Sequence, residues 1–235
     1  MKPIAIFRHA ATEGPGFFAN VLNARNIPWQ LIRSDEGDAL PQSAESYGGL
    51  VFMGGPMSVN DDLPWIPQVL ALIGEAMSRD IPVLGHCLGG QLMAKAMGGT
   101  VSRNSVKEIG WGELVVGKSD EARRWFGSLE RFMGFHWHGE TFSIPDGAIA
   151  ILSSRYCEHQ AFTVGKHLAF QCHIEMTADM VDSWCNVGAD EVAASVSSPG
   201  VQPVSEIMDK LDTRIPALNQ VASSVYDVWL KGVAA

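Results

Sequence analysis

Two short segments carry side chains able to do covalent chemistry. In Val83-Leu84-Gly85-His86-Cys87-Leu88-Gly89-Gly90-Gln91, an apolar run ends in Gly-x-Cys-x-Gly and passes straight into a helical pattern. This is the cysteine form of a nucleophile elbow, a sharp strand-to-helix turn that pushes the reactive side chain out of the fold. Gly85 and Gly89 suit such a turn because a Cβ at either position would collide across it. Cys87 would then sit at a helix N-terminus, where the macrodipole favours a thiolate. Most intracellular cysteines are small buried hydrophobes; the flanking glycines argue against that reading here.

The second segment is Phe170-Gln171-Cys172-His173-Ile174-Glu175-Met176-Thr177. Residues i and i+2 of a strand share a face, so His173 and Glu175 can project together from a strand end. An imidazole there can take the proton from Cys87. The carboxylate can hold the other ring nitrogen and so set the tautomer. By itself His-x-Glu is an ordinary surface-strand pair; paired with a cysteine elbow it makes a Cys-His-Glu triad.

These segments resemble the motifs of the class I glutamine amidotransferases, Gly-x-Cys-x-Gly-x-Gln and Gln-Phe-His-Pro-Glu, and the resemblance runs over most of residues 1–190. Met53-Gly54-Gly55-Pro56-Met57-Ser58 is similar to the oxyanion turn of the subgroup related to the amidotransferase part of GMP synthetase. The resemblance implies Gly55 and Leu88 as backbone donors to a tetrahedral oxyanion. It also implies Gln91, His138 and Gln160 near the substrate, His138 within the His-Gly-Asp-like stretch Phe135-His136-Trp137-His138-Gly139-Glu140. The implied reaction is cleavage of the γ-amide of glutamine through a γ-glutamyl thioester, with no cofactor. Stand-alone members that look like this chain include γ-glutamyl peptidases, which keeps that alternative open. A non-catalytic binding module with a vestigial site is a second alternative, opposed by the presence of all three triad residue types. Relatives of this fold with deglycase or chaperone roles typically lack the His-x-Glu pair.

Three residues depart from the family pattern. His86 replaces a small apolar residue, Cys172 an aromatic one and Ile174 a proline. Cys172 could be an oxidation-sensitive second thiol or plain strand packing. A metal site on His136, His138 and Glu140 is conceivable, since alternate strand residues share a face, but the thiol mechanism needs none.

The elements that must position these residues are legible in outline. Short apolar runs at 3–7, 27–32, 50–53 and 81–85 predict strands, with helical spacing at 17–24, 65–77 and 88–97 between and after them. That βαβα order predicts a parallel sheet with helices on both faces. The α/β class follows; the resemblance adds a three-layer, flavodoxin-like sandwich with a mostly parallel sheet. Residues 110–116 and 129–142 read as antiparallel or edge additions, and 149–153, 161–164 and 168–172 as further strands. From Thr177 the chain turns helical, breaks at Ser197-Ser198-Pro199-Gly200 and resumes as a long helix from about Val204. One domain over residues 1–235 is expected, with 200–235 as a helical extension that could cover the core, shape the site or form a homodimer.

Composition narrows the partners. Seventeen basic against 26 acidic residues give a formal charge of −9, without the Lys/Arg excess that neutralises phosphates or anionic lipid. Nucleic acid and membrane surfaces are therefore not expected partners. The four cysteines lack CxxC spacing, and no secretory signal is visible at the N-terminus, so a reducing cytoplasm is the expected setting. The expected partner is a small-molecule substrate; because 235 residues leave no room for a synthetase domain, the chain is expected either to feed a separate ammonia-accepting synthetase subunit or to act as a stand-alone hydrolase.

Overall fold

The structure is a computed structural model that describes residues 1–234. Its first half alternates strand and helix: β1 (Ile4–Arg8), α1 (Gly16–Ala24), β2 (Trp29–Arg33), β3 (Gly49–Phe52), α2 (Ile66–Ser78), β4 (Val83–His86) and α3 (Leu88–Ala96). An antiparallel section follows, β5 (Val101–Val116), α4 (Asp120–Phe126), β6 (Arg131–Phe142), β7 (Ile149–Ser154), β8 (Ala161–Val164) and β9 (His167–Phe170). The chain ends in α5 (Ala178–Val187), α6 (Ala189–Ala194), β10 (Gly200–Val201), α7 (Val204–Ile207) and α8 (Leu211–Ala234).

All ten strands join one sheet in the order β10-β5-β7-β8-β9-β4-β3-β1-β2, with β6 paired to β5 off this path. β9, β4, β3, β1 and β2 run parallel. The expected parallel sheet is therefore observed, extended on one side by antiparallel strands. Alternation along β1 sends Ile4 and Ile6 to one face and Ala5 and Phe7 to the other, and each face has its own apolar core. α2 and α3 cover the second face with Val69, Ile73, Leu88 and Leu92. On the first face α1 supplies Phe18 and Leu22, and α8 supplies Leu218, Val225, Tyr226 and Trp229. This is the three-layer arrangement.

Three elements differ from expectation. The strand read at 168–172 ends at Phe170, so His173 and Glu175 lie just beyond it. Their common direction comes instead from an isolated bridge in which His173 N–H donates to Phe135 O at 2.8 Å. α4 and the two-residue β10 carried no periodic signal. The long helix begins only at Leu211, after the one-turn α7, and carries Pro216 within it.

α8 is tied into the sheet's centre. The Trp229 indole donates to Val83 O at 3.3 Å, and a Cβ built at Gly49 would lie 2.7 Å from its ring. Phe18 meets Tyr226 edge-on with centroids 4.8 Å apart. Truncating a fully buried tryptophan loses its transfer energy and leaves a cavity. Trp229→Ala is expected to destabilise the fold by about 3–5 kcal/mol, read as a lower urea midpoint; an unchanged midpoint would mean that α8 is not part of the cooperative core.

Candidate active site

The elbow forms because backbone passes where no side chain fits. A Cβ at Gly89 would lie 2.0 Å from Phe52 O on β3, and one at Gly90 would lie 2.3 Å from Phe170 O on β9. A Cβ at Gly85 would meet the Gly89 backbone at 2.5 Å. The start of α3 is thereby pressed onto the ends of three parallel strands. Cys87 stands as its N-cap with φ 51° and ψ −108°, a conformation that non-glycine residues rarely adopt. Its N–H donates to Phe170 O at 2.9 Å and its carbonyl accepts from Gln91 N–H at 3.0 Å.

The structure brings His173 and Glu175 to this thiol. His173 Nδ1 lies 2.6 Å from Glu175 Oε1, with both side chains almost wholly buried. Nε2 has no conventional hydrogen-bond partner among the described residues and faces the Cys87 thiol. Burial disfavours a charged imidazole, but the Glu175 carboxylate and the Cys87 sulfur outweigh it and raise His173 well above the ordinary 6.5. Glu175 is likewise opposed by burial, yet His86 and His173 hold it below the ordinary carboxylate range. Its backbone is fixed by the first turn of α1, whose Phe17 N–H donates to Glu175 O at 2.7 Å.

His86 turns out to belong to this network. Its Nδ1 lies 3.1 Å from Glu175 Oε2, and its Nε2 is 3.4 Å from the Tyr226 hydroxyl of α8. The carboxylate therefore stands between two histidines, and the C-terminal helix reaches the second of them. Gln171 was also missed, although it lies within the motif: its amide donates to Cys87 Sγ at 3.6 Å. Gln91 lines the cavity as expected, while its own amide donates to Gln171 Oε1 at 3.1 Å and so orients it. Cys172 is fully buried against Gln160 O, and burial pushes its thiol well above the ordinary 9.0. That leaves it a packing residue.

Cys87 opens on a cavity of about 330 Å³, lined among others by Gly55, Gln91, Trp137, His138, Glu140 and Trp184. Gly55 and Leu88 are neighbours, a Cβ at Gly55 falling 2.9 Å from Leu88 Cδ2. Neither backbone N–H donates to another described residue. His138 reaches the cavity wall, but Gln160 is fully buried behind it. The Gln160 amide nitrogen lies 2.8 Å from Glu108 Oε2 and 3.3 Å from both His136 Nδ1 and His138 Nε2. This corrects the metal alternative: Glu108, not Glu140, joins the two histidines. Glu140 turns to Ser58 Oγ at 3.1 Å. The amide nitrogen already occupies the point on which the three side chains converge.

Comparison with known proteins places the chain in a family. A sequence model of the class-I glutamine amidotransferase family matches residues 18–183. The chain belongs to that family. A crystal structure of a glutamine amidotransferase from Methylobacillus flagellatus is 46% identical with TM-score 0.96, covering 99% of this chain and 95% of that one. The glutamine amidotransferase-like protein YfeJ of Salmonella typhimurium is 28% identical over 85% of this chain and 86% of its own length. Gamma-glutamyl peptidase 3 of Arabidopsis thaliana is 25% identical over 70% of this chain and 69% of its own. The fold expected of the family is thus observed, and no helix among the described residues is long and apolar enough to cross a membrane.

Glu13, on the loop after β1, also lines the cavity and carried no motif. Burial pushes its carboxyl up to about 7; His173 opposes the shift and Glu175 and Glu191 add to it. Between the ordinary 4.5 and about 7 the folded protein keeps a proton on Glu13 that the unfolded chain has lost. This group alone therefore makes stability fall as pH rises through that window. Glu13→Gln is expected to raise the melting temperature at pH 8 by about 3 °C or more and to leave it unchanged at pH 4; equal effects at both pH values would contradict the assignment.

Proposed function

We propose that the protein is a cysteine-dependent amidotransferase-type hydrolase that cleaves the γ-amide of glutamine. The observation that carries this reading is the 2.6 Å Glu175–His173 contact with the far ring nitrogen turned to an elbow cysteine. Glu175 holds Nδ1 protonated, which leaves Nε2 to take the proton of Cys87. The thiolate attacks the γ-carbonyl, and the oxyanion is met by the N–H groups of Gly55 and Leu88. Collapse breaks the C–N bond while His173 returns a proton to the departing nitrogen. Water then enters on the same base, the C–S bond breaks, and glutamate leaves.

In this reading Gln171 donates to the sulfur and Gln91 steadies Gln171. His138 borders the substrate. Gln160 has a supporting place: it holds His138 and Glu108 from behind the cavity wall. The ammonia would pass to a separate acceptor subunit. A second reading, hydrolysis of γ-glutamyl peptides without an acceptor, draws on the similarity to the Arabidopsis peptidase.

The test is glutamate release from glutamine and from γ-glutamyl peptides by wild type, Cys87→Ala and Glu175→Gln. Cys87→Ala is expected to abolish release. Glu175→Gln is expected to lower kcat by about 10²- to 10⁴-fold with KM little changed, because it removes the group that sets the base's tautomer. Release that persists in Cys87→Ala would overturn the proposal.

A further inference from the structure

The charged residues that line the cavity beside Cys87 are Glu13, Glu140 and Glu191, without a lysine or arginine among them. Glu191, on the rim, is neutralised by Lys107 at 2.5 Å and accepts from the Trp137 indole at 2.9 Å. Glu140 has only the Ser58 hydroxyl. The Glu13 side chain makes no hydrogen bond or ion pair with any described residue. A half-buried carboxylate without a partner is costly to ionise, and a cationic ligand would remove that cost.

Its position specifies which part of a substrate it meets. A Cβ built at Gly54 would lie 2.0 Å from Glu13 Oε2 and 3.2 Å from His173 Cε1. The carboxylate thus lies beside the His173 ring, the group that in the proposed reaction hands a proton to the departing nitrogen. Two aromatic side chains share this wall. Trp184 meets the His173 ring at 4.8 Å and stands perpendicular to Trp137 with centroids 5.9 Å apart. An unpaired carboxylate lining the same cavity as two tryptophans is a surrounding that favours an alkylammonium ion, by charge and by cation–π attraction.

We propose that the cavity selects γ-glutamyl amides whose leaving amine carries a second, positively charged group, and that Glu13 is the residue that selects it. The inference rests on the γ-amide hydrolysis proposed above. The reaction stays balanced: the γ-glutamyl C–N bond breaks, His173 protonates that nitrogen, one water hydrolyses the thioester, and glutamate and a diamine leave. An anionic tail, such as that of a γ-glutamyl amino acid, would face Glu13 and be disfavoured.

Three amides of matched length test this: γ-glutamyl 1,3-diaminopropane, γ-glutamyl propylamide and γ-glutamyl β-alanine, with cationic, neutral and anionic tails. The kcat/KM for the cationic tail is expected to exceed that for the neutral one by about tenfold, with the anionic tail lowest. The ratio should shrink as salt is raised. It should also grow from pH 6 to pH 8 as Glu13 ionises; His173, Glu175 and Glu191, which face it, act on all three substrates alike. Glu13→Gln is expected to bring the cationic-to-neutral ratio to within about twofold. A ratio of one in wild type, or one that survives Glu13→Gln, would overturn the proposal.

Calorimetric binding of the same compounds to Cys87→Ala separates this inference from the hydrolase reading. Preferential binding of the cationic compound without turnover in wild type would support the cation site and count against hydrolysis. Equal binding of all three would overturn the cation site whatever the turnover.

Discussion

Glu175 is a carboxylate sealed inside the protein, and such a charge is tolerated only when opposite charge and donors surround it. Here the His173 ring meets one oxygen at 2.6 Å, and the His86 ring lies 3.1 Å from the other. Each depends on a different strand end. His86 closes β4, one residue before the nucleophile, and His173 lies three residues beyond β9. Parallel pairing of β4 and β9 places these ends side by side. The Phe17 N–H at the start of α1 grips the Glu175 carbonyl, while α8 presents Tyr226 to His86. Removing His173 or His86 would leave a buried carboxylate with too few partners, whereas the Phe17 and Tyr226 contacts hold the Glu175 backbone and the His86 ring in place. The geometry of this cluster is therefore structurally demanding.

The placement of Cys87 depends on an equally strict constraint, expressed in backbone rather than charge. Cys87 holds a positive φ because Gly85, Gly89 and Gly90 let α3 approach β3 and β9 more closely than any Cβ allows. The thiol is consequently presented at a helix N-terminus. Rigid strands set the position, and loops bring the remaining cavity wall. A fixed scaffold with loops completing the site is a common division of labour in folds of this class.

Cys87, His173, Glu175, the glycine turn and the alternation of the first four strands were legible in the sequence, because each rests on local spacing. What was missed is non-local. Glu13 sits in a loop with no motif, and only the fold brings it beside Gly54 and His173. His86 read as a departure from the family pattern, but its partners Glu175 and Tyr226 lie far along the chain. Glu108 displaced Glu140 as the companion of the two histidines because the β5–β6 register, not sequence proximity, decides who faces whom. The end of β9 was overextended because a bridge to Phe135 imitates strand geometry past Phe170.

The central claim is that Glu175 sustains a charged His173 inside the protein against the cost of burial. Histidine-selective NMR titration of wild type and Glu175→Gln tests it most directly. The account requires His173 in wild type to stay protonated well above the ordinary 6.5 and to fall markedly in Glu175→Gln. A wild-type His173 that titrates at or below the ordinary value, with no response to Glu175→Gln, would contradict it.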